Sequence, residues 1–233
     1  MNVLLFGAFP YVAIVLLVMI SIVRYRRSAY TVSSLSSQFF ESRELFWGSV
    51  PFHLGILILF FGHLIGFAIP RQVQVWNGHP MRLFVLELTG FVAGLLTLWG
   101  LVLLVQRRAR SDRLRVITEP TDLVVYALLL FQVVTGLYVA LVYRWGSAWY
   151  VQVLVPYLRS VFTLSPDVAR VADLPWMVRL HVLGAFTLFA VFSFTRLMHV
   201  LVAPIPYLWR RPQIVMWNRP RPAATHGAPG RSP

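Results

Sequence analysis

The chain has 233 residues, of which 58% are hydrophobic and only 12% charged, and its mean hydropathy is +0.70; a soluble domain carries about twice that charge fraction, so composition excludes an ordinary water-soluble protein and indicates an integral membrane one. All 21 basic residues are arginine, set against 8 acidic residues for a net charge of +13. There is no cysteine, which excludes disulfides, a Cys-x-x-Cys-His haem attachment and cysteine-ligated iron–sulfur clusters from this chain.

Five apolar stretches approach the roughly 20 residues that a helix needs to cross a bilayer. The first, about 3–23, is followed at once by Arg24, Arg26 and Arg27. A signal peptide places its positive charge before the apolar core and a small-residue cleavage site after it, so this segment reads as a retained first helix. The second, about 48–69, ends at Pro70 and carries His53 and His63 in the run Phe52-His53-Leu54-Gly55-Ile56-Leu57-Ile58-Leu59-Phe60-Phe61-Gly62-His63-Leu64-Ile65-Gly66, which has no other polar side chain. The third is about 83–105 and the fourth about 123–143. The long connection that follows holds Trp145, Trp149, Tyr150 and Tyr157, read as an interfacial aromatic belt or as a roof over a site. The fifth, about 176–202, carries His181 and His199 and is stopped by Pro204 and Pro206. The expectation is an all-α, five-helix transmembrane bundle over residues 1–208, with a tail at 209–233 whose Pro, Gly and Ala content reads as partly disordered.

Arginine placement sets the orientation. Fourteen arginines fall in the loop between helices 1 and 2, the loop between helices 3 and 4, and the tail; six fall on the opposite side. The N-terminus is therefore expected outside and the C-terminus in the cytoplasm. The basic charge reads as a topology signal and a lipid-facing collar, which argues against nucleic acid as a partner.

Histidine is costly inside a membrane and usually faces the bundle interior for a functional reason. One such residue can be satisfied by an interhelical hydrogen bond; four, paired on two antiparallel helices, fit axial ligation of two non-covalently bound haems. Antiparallel geometry pairs His63 with His181 toward the outer face and His53 with His199 toward the cytoplasm. The spacings are unequal: ten residues span about 15 Å and eighteen about 27 Å at 1.5 Å per residue, so tilted helices or leaning rings are required. Gly55, Gly62, Gly66 and Gly184 lie close to these histidines. They make room for a flat porphyrin or, on the plainer reading, for small-residue helix packing of the kind expected at Gly90 and Gly94. Arg179 and Arg196, two before His181 and three before His199, can pair with haem propionates or with lipid headgroups. A proton-relay transporter would call for more intramembrane acids than Glu87 and for broken helices.

The segments Phe52-His53-Leu54-Gly55-Ile56-Leu57 through Gly62-His63-Leu64-Ile65-Gly66, and Arg179-Leu180-His181-Val182-Leu183-Gly184 through Arg196-Leu197-Met198-His199-Val200, resemble the second and fifth helices of the gamma subunit of membrane-bound respiratory nitrate reductase. Ser36-Ser37-Gln38 and Ala203-Pro204-Ile205-Pro206-Tyr207-Leu208 are similar too, and the likeness runs to about residue 215. The resemblance implies a diheme cytochrome b of a bacterial or archaeal cytoplasmic (inner) membrane, with two haem b. Such a subunit oxidises quinol near the outer haem. Its electrons go to a cytoplasmic iron–sulfur beta subunit and on to a molybdenum-containing alpha subunit. The family's quinol site includes the glycine before the outer histidine, here Gly62 beside His63, and a lysine for which this chain has Arg82. Arg82 reads equally as an interfacial anchor. Similar diheme subunits also serve sulfur-cycle and heterodisulfide-type complexes, whose terminal substrate is handled by other chains.

Overall fold

Length and apolarity translate directly into helices, and among the described residues every regular element is helical. The computed structural model describes residues 1–28 and 43–202. A π-helical opening turn, Val3–Ala8, runs into α1 (Phe9–Ser28). Then come α2 (Arg43–Ala68), α3 (Pro70–Asn77), α4 (Pro80–Arg110), α5 (Asp112–Val116) and α6 (Pro120–Val142). A continuous helical run follows: α7 (Gly146–Trp149), a π-helical turn Tyr150–Leu154, and α8 (Val155–Phe162). Last are α9 (Ala169–Ala172), α10 (Trp176–Phe192) and a 3-10 stretch, Arg196–Val202. The tail, Pro204, Pro206 and Ser36-Ser37-Gln38 lie outside the described residues, as does the expected boundary at 208.

Four helices are long and apolar enough to cross a membrane by length and composition: Val3–Arg27, Leu45–Ala68, Pro80–Arg110 and Pro120–Val142. Their ends carry ordinary helix punctuation. Proline opens α3, α4 and α6 at the first turn, where its missing N–H costs nothing. Glu119 and Asp122 form a capping box on α6. Arg107, Arg108 and Arg110 sit in the last turn of α4, where positive charge suits the helix dipole.

The expected fifth span, 176–202, is not one helix. The α-helix stops after 17 residues at Phe192, and the chain turns before resuming as the 3-10 stretch. The reason is tertiary. Ser193 and Thr195 are buried, and their polar groups bond to α1 instead of continuing the helix ladder. The Ser193 hydroxyl donates to Leu17 O at 2.9 Å and lies 2.7 Å from Ser21 Oγ. Arg24 Nη1 donates to the carbonyls of Ser193 and Thr195, each at 2.9 Å. These are the acceptors that a helix end leaves unsatisfied.

Packing runs from α2 to α4, α4 to α6, α6 to α10 and α10 to α1; α2 and α10 do not pack along each other. The α2–α4 contact is close because it is made by glycines. A Cβ on Gly55 would stand 2.5 Å from Ala93 O, and one on Gly100 would stand 2.4 Å from Phe52 N. Such backbone approach is open only to the smallest residue. The connection after α6 is a folded cap and not a plain aromatic belt. Tyr157 is fully buried beside Phe6, Val161 and Val171, and its hydroxyl donates to Phe6 O at 2.8 Å.

Candidate functional site

The four histidines sit on the two elements that avoid packing along each other, α2 and α10 with its 3-10 continuation. On α2, His53 Nδ1 lies 2.8 Å from Ser49 O and 3.1 Å from Ser49 Oγ. His63 Nδ1 lies 2.7 Å from Leu59 O. In the 3-10 stretch, His199 Nδ1 lies 2.7 Å from Arg196 O. A carbonyl only accepts, so each of these Nδ1 atoms carries the proton and donates, which leaves Nε2 as the lone-pair nitrogen.

His181 reaches the same state by another route. Thr135 Oγ1 donates to Phe131 O at 2.8 Å, so toward His181 Nδ1, 3.0 Å away, it acts as acceptor. Gln132 Nε2 lies 3.3 Å from His181 Nε2 and 3.1 Å from His181 O, so its amide donates to the ring's lone pair. The ring rests on α6 at Gly136, where a Cβ would come within 2.9 Å of His181 Cε1. Gln132, Thr135 and Gly136 therefore shape this pocket, and the histidine spacing alone does not reveal them. Their signal was present: two polar residues and a glycine at i, i+3 and i+4 in an otherwise apolar span share one helix face.

His53 and His199 are brought edge to face, with ring centres 6.5 Å apart and planes at 69°. Metal–nitrogen bonds of about 2 Å, with each ring centre about 1 Å behind its nitrogen, place two imidazoles sharing one metal about 6 Å apart. The separation of His53 and His199 is therefore close to that of two rings sharing one metal. Because α10 is interrupted before His199, one straight helix need not reconcile the unequal histidine spacings. His63 instead has Tyr150 as its ring neighbour, with centres 5.5 Å apart. The Tyr150 hydroxyl donates to His63 O at 3.0 Å, and burial pushes this phenol up to about 12, so it remains a donor. Ligation by His181 through Nε2 requires the Gln132 amide to swing aside.

A model of the nitrate reductase gamma subunit family matches residues 2–218. The chain belongs to this family. It is similar to the respiratory nitrate reductase 2 gamma chain of Escherichia coli strain K12, 33% identical over 94% of this chain and 98% of that one. It is also similar to the nitrate reductase gamma chain of Bacillus subtilis strain 168, 29% identical over 89% of this chain and 94% of that one. The nitrate reductase-like protein NarX of Mycobacterium tuberculosis is 35% identical over 90% of this chain, which spans 33% of that relative's length.

For a gamma-family chain the donor set suits haem. A metal-bound histidine typically donates its other ring N–H to a carbonyl or a similar acceptor, and all four have that form. The remaining expected residues divide. A Cβ on Gly62, beside His63, would meet nothing within 4 Å, whereas Gly55, Gly66 and Gly184 are filled by Thr97, Tyr150 and Gln132 respectively; for those three the plain packing reading holds. Arg82 is exposed, its guanidinium 5.2 Å from the Trp76 ring centre. Glu87 accepts from the Ser147 backbone N–H at 2.7 Å and from its hydroxyl at 2.6 Å, and so anchors the cap. Arg196 is engaged by Asp122 and Glu119, while Arg179 makes no side-chain hydrogen bond or ion pair among the described residues.

Proposed function

We propose that the chain is the quinol-oxidising, diheme cytochrome b subunit of a membrane-bound quinol:nitrate oxidoreductase. His63 and His181 hold one haem b toward the outer face, and His53 and His199 hold the other toward the cytoplasm. The observation that carries this reading is the shared state of the four histidines. Each commits Nδ1 as a donor and keeps its lone pair on Nε2, engaged in His181 by the Gln132 amide, on two elements that do not pack along each other. A haem bound by such a pair supplies a one-electron redox centre.

The chain's own residues do the positioning. Ser49, Leu59, Thr135 and Arg196 fix the ring orientations through Nδ1, and the glycines of α2 and α4 hold α2 in register. On this reading α10 is the fifth span, since its 17 mostly apolar residues lie at the lower limit for crossing a bilayer. The N-terminus is outside and the C-terminus in the cytoplasm. Quinol binds beside His63, where Gly62 leaves open space and Arg82 offers guanidinium donors to a quinol oxygen. Arginine holds its proton far more tightly than lysine, so Arg82 orients quinol and does not accept its protons. Electrons leave to a cytoplasmic iron–sulfur beta subunit and a molybdenum-containing alpha subunit, and the quinol protons are released outside.

The test uses membranes holding the chain with its co-expressed partner subunits. Addition of a reduced quinol analogue should produce the absorbance of reduced b-type haem, and nitrate should then discharge it. Haem that reduces with quinol but discharges only with a sulfur compound would move the chain to a different terminal enzyme. The absence of any b-type signal would refute the cytochrome reading.

A further inference from the structure

The geometry points to Asp122 as a positioning residue for His199, acting through Arg196; this rests on the assignment of His199 as an inner-haem ligand. Asp122 is 6% exposed and lies between two guanidinium groups from different elements. Its Oδ2 accepts from Arg108 Nη1 of α4 at 2.8 Å, and its Oδ1 lies 3.1 Å from Arg196 Nε. Arg196 Nη2 also reaches Glu119 Oε1 at 3.5 Å, and Arg108 lies over the Tyr126 ring at 5.4 Å. The Arg196 carbonyl, in turn, accepts from His199 Nδ1. A connected path therefore runs from α4 through the start of α6 to the ligand ring.

His199 needs such a device because no continuous α-helix fixes its direction. The backbone breaks at Ser193–Thr195, and Arg24 holds the freed carbonyls on the near side of the break. On the far side, the first residue of the 3-10 stretch is Arg196, and Asp122 holds its side chain. The two clamps bracket the break, and the second sets where the carbonyl that orients His199 lies. Capping of α6 accounts for only one of Asp122's contacts, that from Glu119 N at 3.2 Å, and an amide oxygen would serve there equally well. Holding two arginines at once calls for a carboxylate. The same geometry explains why Arg196 does not present a free guanidinium to a propionate.

The experiment uses the full chain with its partner subunits in membranes, as wild type, Asp122→Asn, Asp122→Glu and Glu119→Gln. The readouts are haem stoichiometry, the low-spin electron paramagnetic resonance signal of each haem, and a redox titration. The inner signal is identified as the one lost in His53→Ala. Asp122→Asn should keep two haems per chain, change the g-anisotropy and midpoint of the inner haem, and leave the outer haem unaltered. Asp122→Glu should return the inner signal toward wild type. Glu119→Gln weakens the longer, 3.5 Å contact to Arg196 and leaves the Asp122–Arg196 contact in place, so it should disturb the inner signal less than Asp122→Asn. An unaltered inner signal in Asp122→Asn overturns the inference, and so does an equal disturbance or joint loss of both haems. Absence of haem from the wild-type chain overturns the diheme reading and this inference together.

Discussion

Gly100→Ala should separate α2 from α4 at the level of the inner histidine. The added Cβ would stand 2.4 Å from Phe52 N, 2.6 Å from Gly48 O and 2.8 Å from Phe52 Cα, against ordinary contact at 3.4 Å or more. All three neighbours are backbone, so no side chain can rotate away, and the helices must part by about 1 Å. Overpacking of this kind costs about 1–3 kcal/mol, equivalent to about 5- to 150-fold in an equilibrium at about 1.4 kcal/mol per tenfold. The displaced backbone is that of Phe52, the residue before His53. The inner ring pair, now 6.5 Å apart, should therefore be disturbed while the outer site is spared. Purified Gly100→Ala should lose inner haem on warming in detergent faster than wild type. Gly90→Ala, whose Cβ meets nothing within 4 Å, is the matched control and should be neutral. Indistinguishable haem retention in the two variants would refute this account of the α2–α4 contact.

Other outcomes follow from single contacts. Thr135→Val removes the acceptor of His181 Nδ1; loss of such an outer-shell partner typically costs about 10- to 100-fold in metal affinity. Selective loss of the outer haem is expected in the haem-to-chain ratio. Tyr157→Phe deletes the buried hydroxyl bonded to Phe6 O and should cost about 1 kcal/mol. Faster thermal inactivation with unchanged haem spectra would bear this out; a shifted spectrum would contradict a purely structural role. Arg24→Gln weakens the clamp on the Ser193 and Thr195 carbonyls and should loosen the α1–α10 contact, read as faster amide exchange at residues 190–196.

Much of the helical plan was legible because a membrane span writes itself as an uninterrupted apolar run. The histidines were legible for the same reason, since a polar ring stands out in such a run. What remained hidden depends on tertiary neighbours. The break at Ser193–Thr195 looks like an ordinary continuation of an apolar helix until Arg24 and Leu17, far away in the chain, supply partners for its polar groups. Nothing in the sequence singles out Asp122, because its contacts to Arg108 and Arg196 require three elements to meet. The cap between α6 and α10 reads as an aromatic-rich loop. Only its packing distinguishes the buried Tyr157 from Trp145, which stays half exposed at φ 65°. Gly48 and Gly100 do not stand out in the sequence because glycine is common in membrane helices, and only the opposing helix marks which ones are needed.

The measurement that tests the central claim most directly is a reduced-minus-oxidised optical spectrum of the purified chain with its haem-to-chain ratio, repeated on His53→Ala and His63→Ala. The account predicts two b-type haems per chain, with each variant losing a different one. A single haem, or two variants that lose the same one, would contradict the assignment of two histidine pairs.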